Sequence, residues 1–179
     1  VGGVFTGPGT SGLQFNPATA GAGTHTITYT YTDGNGCVNS ESHTVIVHPL
    51  PVVSFTGLDA EYCIDEATAT LVPSPAGGTF TGTGISGNTF DPATAGVGTW
   101  TITYTYTDAN TCTNSISHTS IVHPLPVVTF AALANQYCIT ETSVTLLGNP
   151  VGGTFTGTGV TGNTFNPSSA GVGSYTLTY

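Results

Sequence analysis

Four cysteines, five histidines and nine carboxylates are the side chains of this 179-residue chain best suited to covalent, metal or proton chemistry. The cysteines fall into two classes: Cys37 recurs as Cys112 and Cys63 as Cys138, each pair 75 residues apart. Cys63 and Cys112 belong to one sequence module, and linking them closes a loop of about 50 residues, worth about 3 to 4 kcal/mol in the chain-entropy account. The rival link, Cys37 to Cys63, crosses a proline connector with about a dozen residues on either side. In collinear domains that is tens of ångströms at about 3.3 Å per residue, whereas a disulfide needs Cα atoms within about 7 Å. The expected bridge is therefore Cys63–Cys112, with Cys37 and Cys138 pairing outside the chain. The plainer alternative is four reduced, buried thiols. Metal binding is disfavoured, since each module offers two cysteines and no close third soft ligand. Disulfides imply an oxidising, extracytoplasmic compartment.

Other apparent motifs lose their chemistry on inspection. Gly82-Thr83-Gly84-Ile85-Ser86-Gly87 matches the dinucleotide-binding glycine pattern, as do Gly7 to Gly12 and Gly157 to Gly162. That site needs a helix whose N-terminus faces the pyrophosphate, but Asn88-Thr89-Phe90-Asp91-Pro92 reads as strand and turn. The glycines are expected to supply positive φ in tight turns.

A Ser-His-Asp hydrolase lacks its Gly-x-Ser-x-Gly elbow. Ser86 becomes Thr161 one period later, and His25 becomes Trp100 and then Tyr175, a position chosen for bulk. His43 with His118, and His48 with His123, do recur. The two in each module lie five residues apart, so they point to opposite faces of a strand; packing is the expected role. Asp59, Glu61, Asp65 and Glu66 offer hard oxygen ligands for calcium, yet the same positions one period on are Ala134, Gln136, Thr140 and Glu141. No catalytic residue, metal site or cofactor is expected.

What these residues share is a period. Gly2-Gly3-Val4-Phe5 returns as Gly77-Gly78-Thr79-Phe80 and as Gly152-Gly153-Thr154-Phe155, and His48-Pro49-Leu50-Pro51 returns as His123-Pro124-Leu125-Pro126. Such self-similarity marks an array of like modules, each long enough to be a small domain. Pro49, Pro51, Pro124 and Pro126 fix φ and remove donors, so these segments are read as short stiff linkers. The expected domains are a partial module at 1–48 lacking its first strands, a complete module at 49–123, and a partial module at 124–179 lacking its last strand. The sequence then reads as a window onto a longer array.

Within the complete module, period-two runs place strands at Val52–Phe55, Ala67–Val72, Gly78–Thr81, Asn88–Phe90, Thr99–Thr107 and Cys112–Val122. Asp108-Ala109-Asn110-Thr111 turns the longest pair. The expected fold is all-β: tandem immunoglobulin-like sandwiches with a 75-residue repeat.

Composition narrows the partners. There is no Lys or Arg, the formal charge is -9, and 5% of residues are charged. Nucleic-acid binding needs clustered cations and is excluded. An anionic membrane surface is disfavoured, and no apolar run approaches the roughly 20 residues of a bilayer span. The 38% hydrophobic content sits in patterned runs, which argues against disorder.

The runs from Gly77 to Gly84, from Phe90 to Thr99 and from Thr101 to Asn110 resemble the Ig-like or PKD-like tandem repeats of large secreted Bacteroidetes surface proteins of the type IX secretion and gliding-motility adhesin type. The resemblance covers the whole chain. It implies an extracellular or cell-surface location and a non-catalytic structural or adhesive role, here a disulfide-stapled stalk. The alternatives are a protomer of an extracellular filament, or a spacer or carbohydrate-binding module of a secreted enzyme. Expected partners are neighbouring modules of the same chain, like chains in a fibre, or surface glycans.

Overall fold

Trp100, Ile102, Tyr104 and Tyr106 alternate with threonines, which dictates a strand with one face for a core and one for solvent. The structure, a computed structural model describing residues 2–179, has that strand at Gly98–Thr107. It is 45% strand and 7% helix, an all-β fold as the patterning anticipates. Two compact units divide the chain, Val1–Pro124 and Leu125–Tyr179. The division falls inside the second His-Pro-Leu-Pro segment, whereas residues 1–48 and 49–123 lie in one unit.

In the first unit, β1 (Val4–Thr6), β2 (Thr10–Ser11), β3 (Gln14–Phe15), α1 (Pro17–Ala20), β4 (Gly23–Thr32) and β5 (Val38–Val47) precede the first proline connector. After it come β6 (Ser54–Thr56), β7 (Glu61–Cys63), β8 (Ala69–Thr70), β9 (Val72–Ser74), β10 (Thr79–Thr81), β11 (Ile85–Ser86), β12 (Thr89–Phe90), α2 (Pro92–Ala95), β13 (Gly98–Thr107) and β14 (Thr113–His123). Hydrogen bonding orders them β1-β4-β5, β2-β3, β6-β9, β11-β12-β8 and β10-β13-β14-β7. The long hairpin runs in register from Gly98 opposite Val122 to Thr107 opposite Thr113. β7 is parallel to β14, with Tyr62 opposite Val122 and Cys63 opposite His123.

The core fills the space behind that hairpin. Leu71, Phe90, Ile102, Tyr104 and Val122 are almost wholly buried, and Phe55, Tyr62 and Phe80 pack with them. Phe80 lies 5.1 Å from Phe55 and 4.7 Å from Tyr104, ring centre to ring centre. Trp100 and Tyr106 sit half-buried at its margin, and the Trp100 indole donates to the Gly96 carbonyl at 2.8 Å. Residues 2–48 contribute no buried side chain: Phe5 stays 38% exposed where Phe80, its counterpart 75 residues on, is 8% exposed. Among the described residues no strands like β6 to β9 pack behind the first long hairpin, and the apolar side chains on that face are half-buried or exposed.

A tyrosine latch fixes the turn into β10. The Tyr104 hydroxyl donates to the Pro75 carbonyl and accepts from Gly78 N–H at 2.8 Å. Ser120 is the opposite case, since its buried hydroxyl has no hydrogen-bond partner among the described residues. An unmet buried hydroxyl costs about 1 to 3 kcal/mol, and Val45 stands at the corresponding position of β5. Ser120→Val is expected to stabilise the first unit by about 1 kcal/mol, measured as a rise in denaturant midpoint at constant slope.

The helical turns were not anticipated by the strand pattern. Each begins with proline at its first position, preceded by a polar cap: Asn16, Asp91 or Asn166 accepts backbone N–H groups of the turn. Bonds from the Thr94 hydroxyl, then from backbone N–H groups, hold the Asp91 carboxyl below its ordinary range, despite an opposing contribution from desolvation. A carboxyl depressed by folding contributes stability above its unfolded pKa, and that contribution is lost as pH falls through the folded value. Asp91→Asn, the residue found at the two other caps, is therefore expected to keep the turn while flattening the acid limb of the stability–pH curve.

The second unit holds β15 (Thr129–Ala131), β16 (Val144–Thr145), β17 (Leu147–Asn149), β18 (Val160–Thr161), β19 (Thr164–Phe165) and α3 (Pro167–Ala170). They pair as β15-β17 and β16-β19-β18 around buried Leu146, Phe155 and Phe165. Tyr179 repeats the latch, accepting from Gly153 N–H at 2.9 Å and donating to the Pro150 carbonyl.

Candidate functional site

Sequence spacing singles out the cysteines, and the structure corrects their pairing. Cys63 lies opposite His123 at the end of β14, whereas Cys112 immediately precedes the start of that strand. Eleven residues of extended chain separate Cys112 from His123, about 35 Å at the usual rise per residue. A disulfide tolerates about 7 Å between Cα atoms. The expected Cys63–Cys112 bridge is thus excluded, and all four cysteines are free thiols. Nor are they buried packing residues: Cys37, Cys63 and Cys138 are exposed and Cys112 is half-exposed. Sequence reasoning placed both cysteines in one module but could not see that they occupy opposite poles.

The pole that carries Cys112 is built by an aspartate. Asp108 Oδ1 accepts from the N–H groups of Asn110 at 2.8 Å and Cys112 at 2.9 Å. Asp33 does the same with Asn35 and Cys37, at 2.9 and 2.8 Å. Those N–H bonds, Cys37 first, draw the Asp33 carboxyl below its usual range. Each hairpin tip is thereby closed by side-chain hydrogen bonds, as its Asp-x-Asn sequence suggested.

The connector meets this same pole. Pro49 and Pro51 lie between β5 and β6, and the Pro51 carbonyl accepts from the Asn114 side-chain amide at 2.9 Å. Pro124 closes the first unit, and Pro126 lies just inside the second.

At the other pole, His123 Nε2 and Glu61 Oε2 are 3.2 Å apart, beside Cys63. The neighbouring acidic residues do not converge: Asp59 N–H donates to the Tyr62 hydroxyl at 2.8 Å, and Glu61 faces the histidine. Burial, with its carboxylate neighbours adding to it, raises the Tyr62 hydroxyl above its usual pKa. No group of three or more His, Cys, Asp or Glu gathers for a metal among the described residues. His118 packs edge-on against Phe55, ring centres 4.6 Å apart. His43, its counterpart, lies with Glu41, Phe5, Ile27 and Tyr29 around a cavity of about 340 Å³, the face left without strands behind it.

The glycine motif lies between β10 and β12, with Gly82, Gly84 and Gly87 all at positive φ. Four-residue α2 follows only after Asp91, so the motif serves the turn rather than opening a phosphate-binding helix.

Two faces remain that present chemistry to solvent. On the hairpin β13–β14, Thr101, Thr103, Thr105 and Thr107 stand opposite Thr119, Ser117, Ser115 and Thr113. Thr103 and Ser117 share a hydrogen bond at 2.8 Å, and Thr107 and Thr113 one at 2.7 Å. Thr28 and Ser42 repeat the pairing on β4–β5 at 2.9 Å. In the second unit, a cavity of about 530 Å³ opens between the segment of Leu133 to Ile139 and that of Gly173 to Leu177. In the first unit, β14 fills the corresponding place between β7 and β13.

No protein-family model matches the chain, and a search of curated proteins finds no match.

Proposed function

We propose that this chain is a non-catalytic structural stretch of an extracellular surface protein, in which immunoglobulin-like modules repeat every 75 residues and act as links of a stalk. The observation that carries this reading is the path of the chain through residues 49–123. It enters beside Asn114, at the tip of the long hairpin, and leaves at His123, at the other end of the same strand. Entry and exit at opposite poles make each module add length rather than bulk.

Strand order supports the module type. β6 pairs with β9 in one sheet and β8, β12 and β11 pair in another; counting the successive β8 and β9 as a single strand B would join them in the A-B-E-D order of an immunoglobulin sheet, and β10-β13-β14 matches C-F-G. β7 extends the second sheet at its edge. The hydroxyl-lined hairpin faces carry no charge and suit lateral contact with like chains or with glycans. Without Lys or Arg the chain offers no trypsin-type cleavage site.

Small-angle scattering on arrays of increasing length tests the reading. Each added 75 residues is expected to lengthen the particle by about 35 Å, the span of the long hairpin. Growth in thickness without growth in length would contradict it. Electron microscopy of the same material separates a string of beads from a filament, and loss of glycan binding in a folded Trp100→Ala variant would favour the carbohydrate-binding alternative.

A further inference from the structure

The two long hairpins turn through tips of the same build that differ at one position. In the first, Asp33 N–H donates to the Cys37 carbonyl at 2.9 Å and Gly36 N–H to the Asp33 carbonyl at 3.1 Å. In the second, Asp108 N–H donates to the Cys112 carbonyl at 3.0 Å and Thr111 N–H to the Asp108 carbonyl at 3.1 Å. The aspartate side chain caps both tips, and Asn35 and Asn110 stand exposed at equivalent places. The residue after each asparagine has positive φ, +82° at Gly36 and +65° at Thr111.

That following residue decides what each asparagine can do. Glycine adopts this conformation freely, whereas a β-branched residue is strained in it. Threonine also crowds its surroundings: branching at Cβ restricts the approach of its own backbone nitrogen to the preceding side chain. Gly36 leaves that approach open, and a Cβ built on it would meet nothing within 4 Å. Of the ten asparagines in the chain, Asn35 alone is followed by glycine.

We propose that Asn35 is a site of spontaneous covalent modification: in the folded chain it converts, through a cyclic imide with Gly36, to aspartate and isoaspartate, while Thr111 spares Asn110. Hydroxide takes the Gly36 N–H proton, and the nitrogen attacks Asn35 Cγ. An N–Cγ bond forms as the Cγ–Nδ2 bond breaks, and Nδ2 leaves as ammonia with a proton from water, which regenerates hydroxide. Water then opens the ring. Addition at Cγ yields aspartate, and addition at the Asn35 backbone carbonyl yields isoaspartate, whose main chain runs through Cβ and Cγ. Either product sets a second carboxylate near that of Asp33, in a chain with no Lys or Arg to offset it. Isoaspartate also lengthens the main chain of the tip, which loosens the bonds from Asp33 N–H to Cys37 and from Gly36 N–H to Asp33. The inference holds whether or not the modules form a stalk.

The test incubates the 179-residue chain, folded, at mildly alkaline pH. The cysteines are then alkylated, and chymotryptic peptides are fragmented to locate the change. Asn35 is expected to gain one mass unit, at a rate that climbs with pH, and part of the product should accept a methyl group from an isoaspartyl methyltransferase. Asn110 should convert at least about tenfold more slowly, a barrier difference of about 1.4 kcal/mol. Gly36→Thr copies the second tip and should silence Asn35. Thr111→Gly copies the first and should bring Asn110 to the rate of Asn35, with the far-ultraviolet spectrum of both variants unchanged. The proposal is overturned if the folded chain keeps Asn35 intact under conditions in which the urea-unfolded chain converts it, or if Asn110 keeps pace with Asn35. A folded Thr111→Gly variant whose Asn110 stays intact would equally overturn it.

Discussion

Phe90→Ala is expected to destabilise the first unit by about 3 to 5 kcal/mol, enough to unfold many small domains. Phe90 has no exposed surface and meets Tyr62 at 5.3 Å between ring centres. Its backbone pairs with both Ile85 and Ala69, so β12 is the seam between β11 and β8. Truncation removes the ring's burial and leaves a cavity that paired strands on both sides keep from collapsing. Urea titration followed by tyrosine and tryptophan fluorescence should show the midpoint fall, with Leu13→Ala, at a 79% exposed position, as the silent control. A change below about 1 kcal/mol would mean that this core does not hold the unit together.

Gly84→Ala carries the second large effect. Gly84 has φ of +79°, where a side chain costs about 1 to 2 kcal/mol. A Cβ there would stand 2.6 Å from the Ala95 Cβ and 2.9 Å from the Asp91 carbonyl oxygen. Relief requires α2 to move off the turn, for about 1 to 3 kcal/mol more. The expected loss is about 2 to 4 kcal/mol in the same titration. Gly87 separates this crowding from glycine flexibility in general: it also has positive φ, but its Cβ would meet nothing within 4 Å, so Gly87→Asn should be nearly silent. Equal losses at the two sites would contradict the packing argument.

These two residues also show where the sequence was legible. The long hairpin could be read almost to the residue, because ten alternating positions on β13 leave only one face for Ile102 and Tyr104. The glycine pattern was read as turn chemistry for the right physical reason, since no helix of useful length follows it. Glu61–Cys63 was missed: three residues among carboxylates show no period, and their strand exists only because β14 offers a parallel edge. The helical turns were missed although Asn16, Asp91 and Asn166, each followed by proline, form a legible cap signal.

The cysteine error has a different origin. Sequence separation gives the length of the loop that a disulfide would close but says nothing about which pole each end occupies. In a body whose longest strand spans about 35 Å, the pole decides. The latch was partly legible, since Tyr104 and Tyr179 share a register position and Gly78 and Gly153 precede them equally. That a hydroxyl would bind the carbonyls of Pro75 and Pro150 was not.

If the 75-residue period is the folding unit, residues 49–123 fold without their neighbours. Those residues alone, unfolded in urea and followed by near-ultraviolet circular dichroism, should give one cooperative transition, with Tyr104 and Trp100 ordered before it. A featureless near-ultraviolet spectrum, or a gradual change that becomes cooperative only when residues 1–48 are restored, would show that the 75-residue period is not the folding unit.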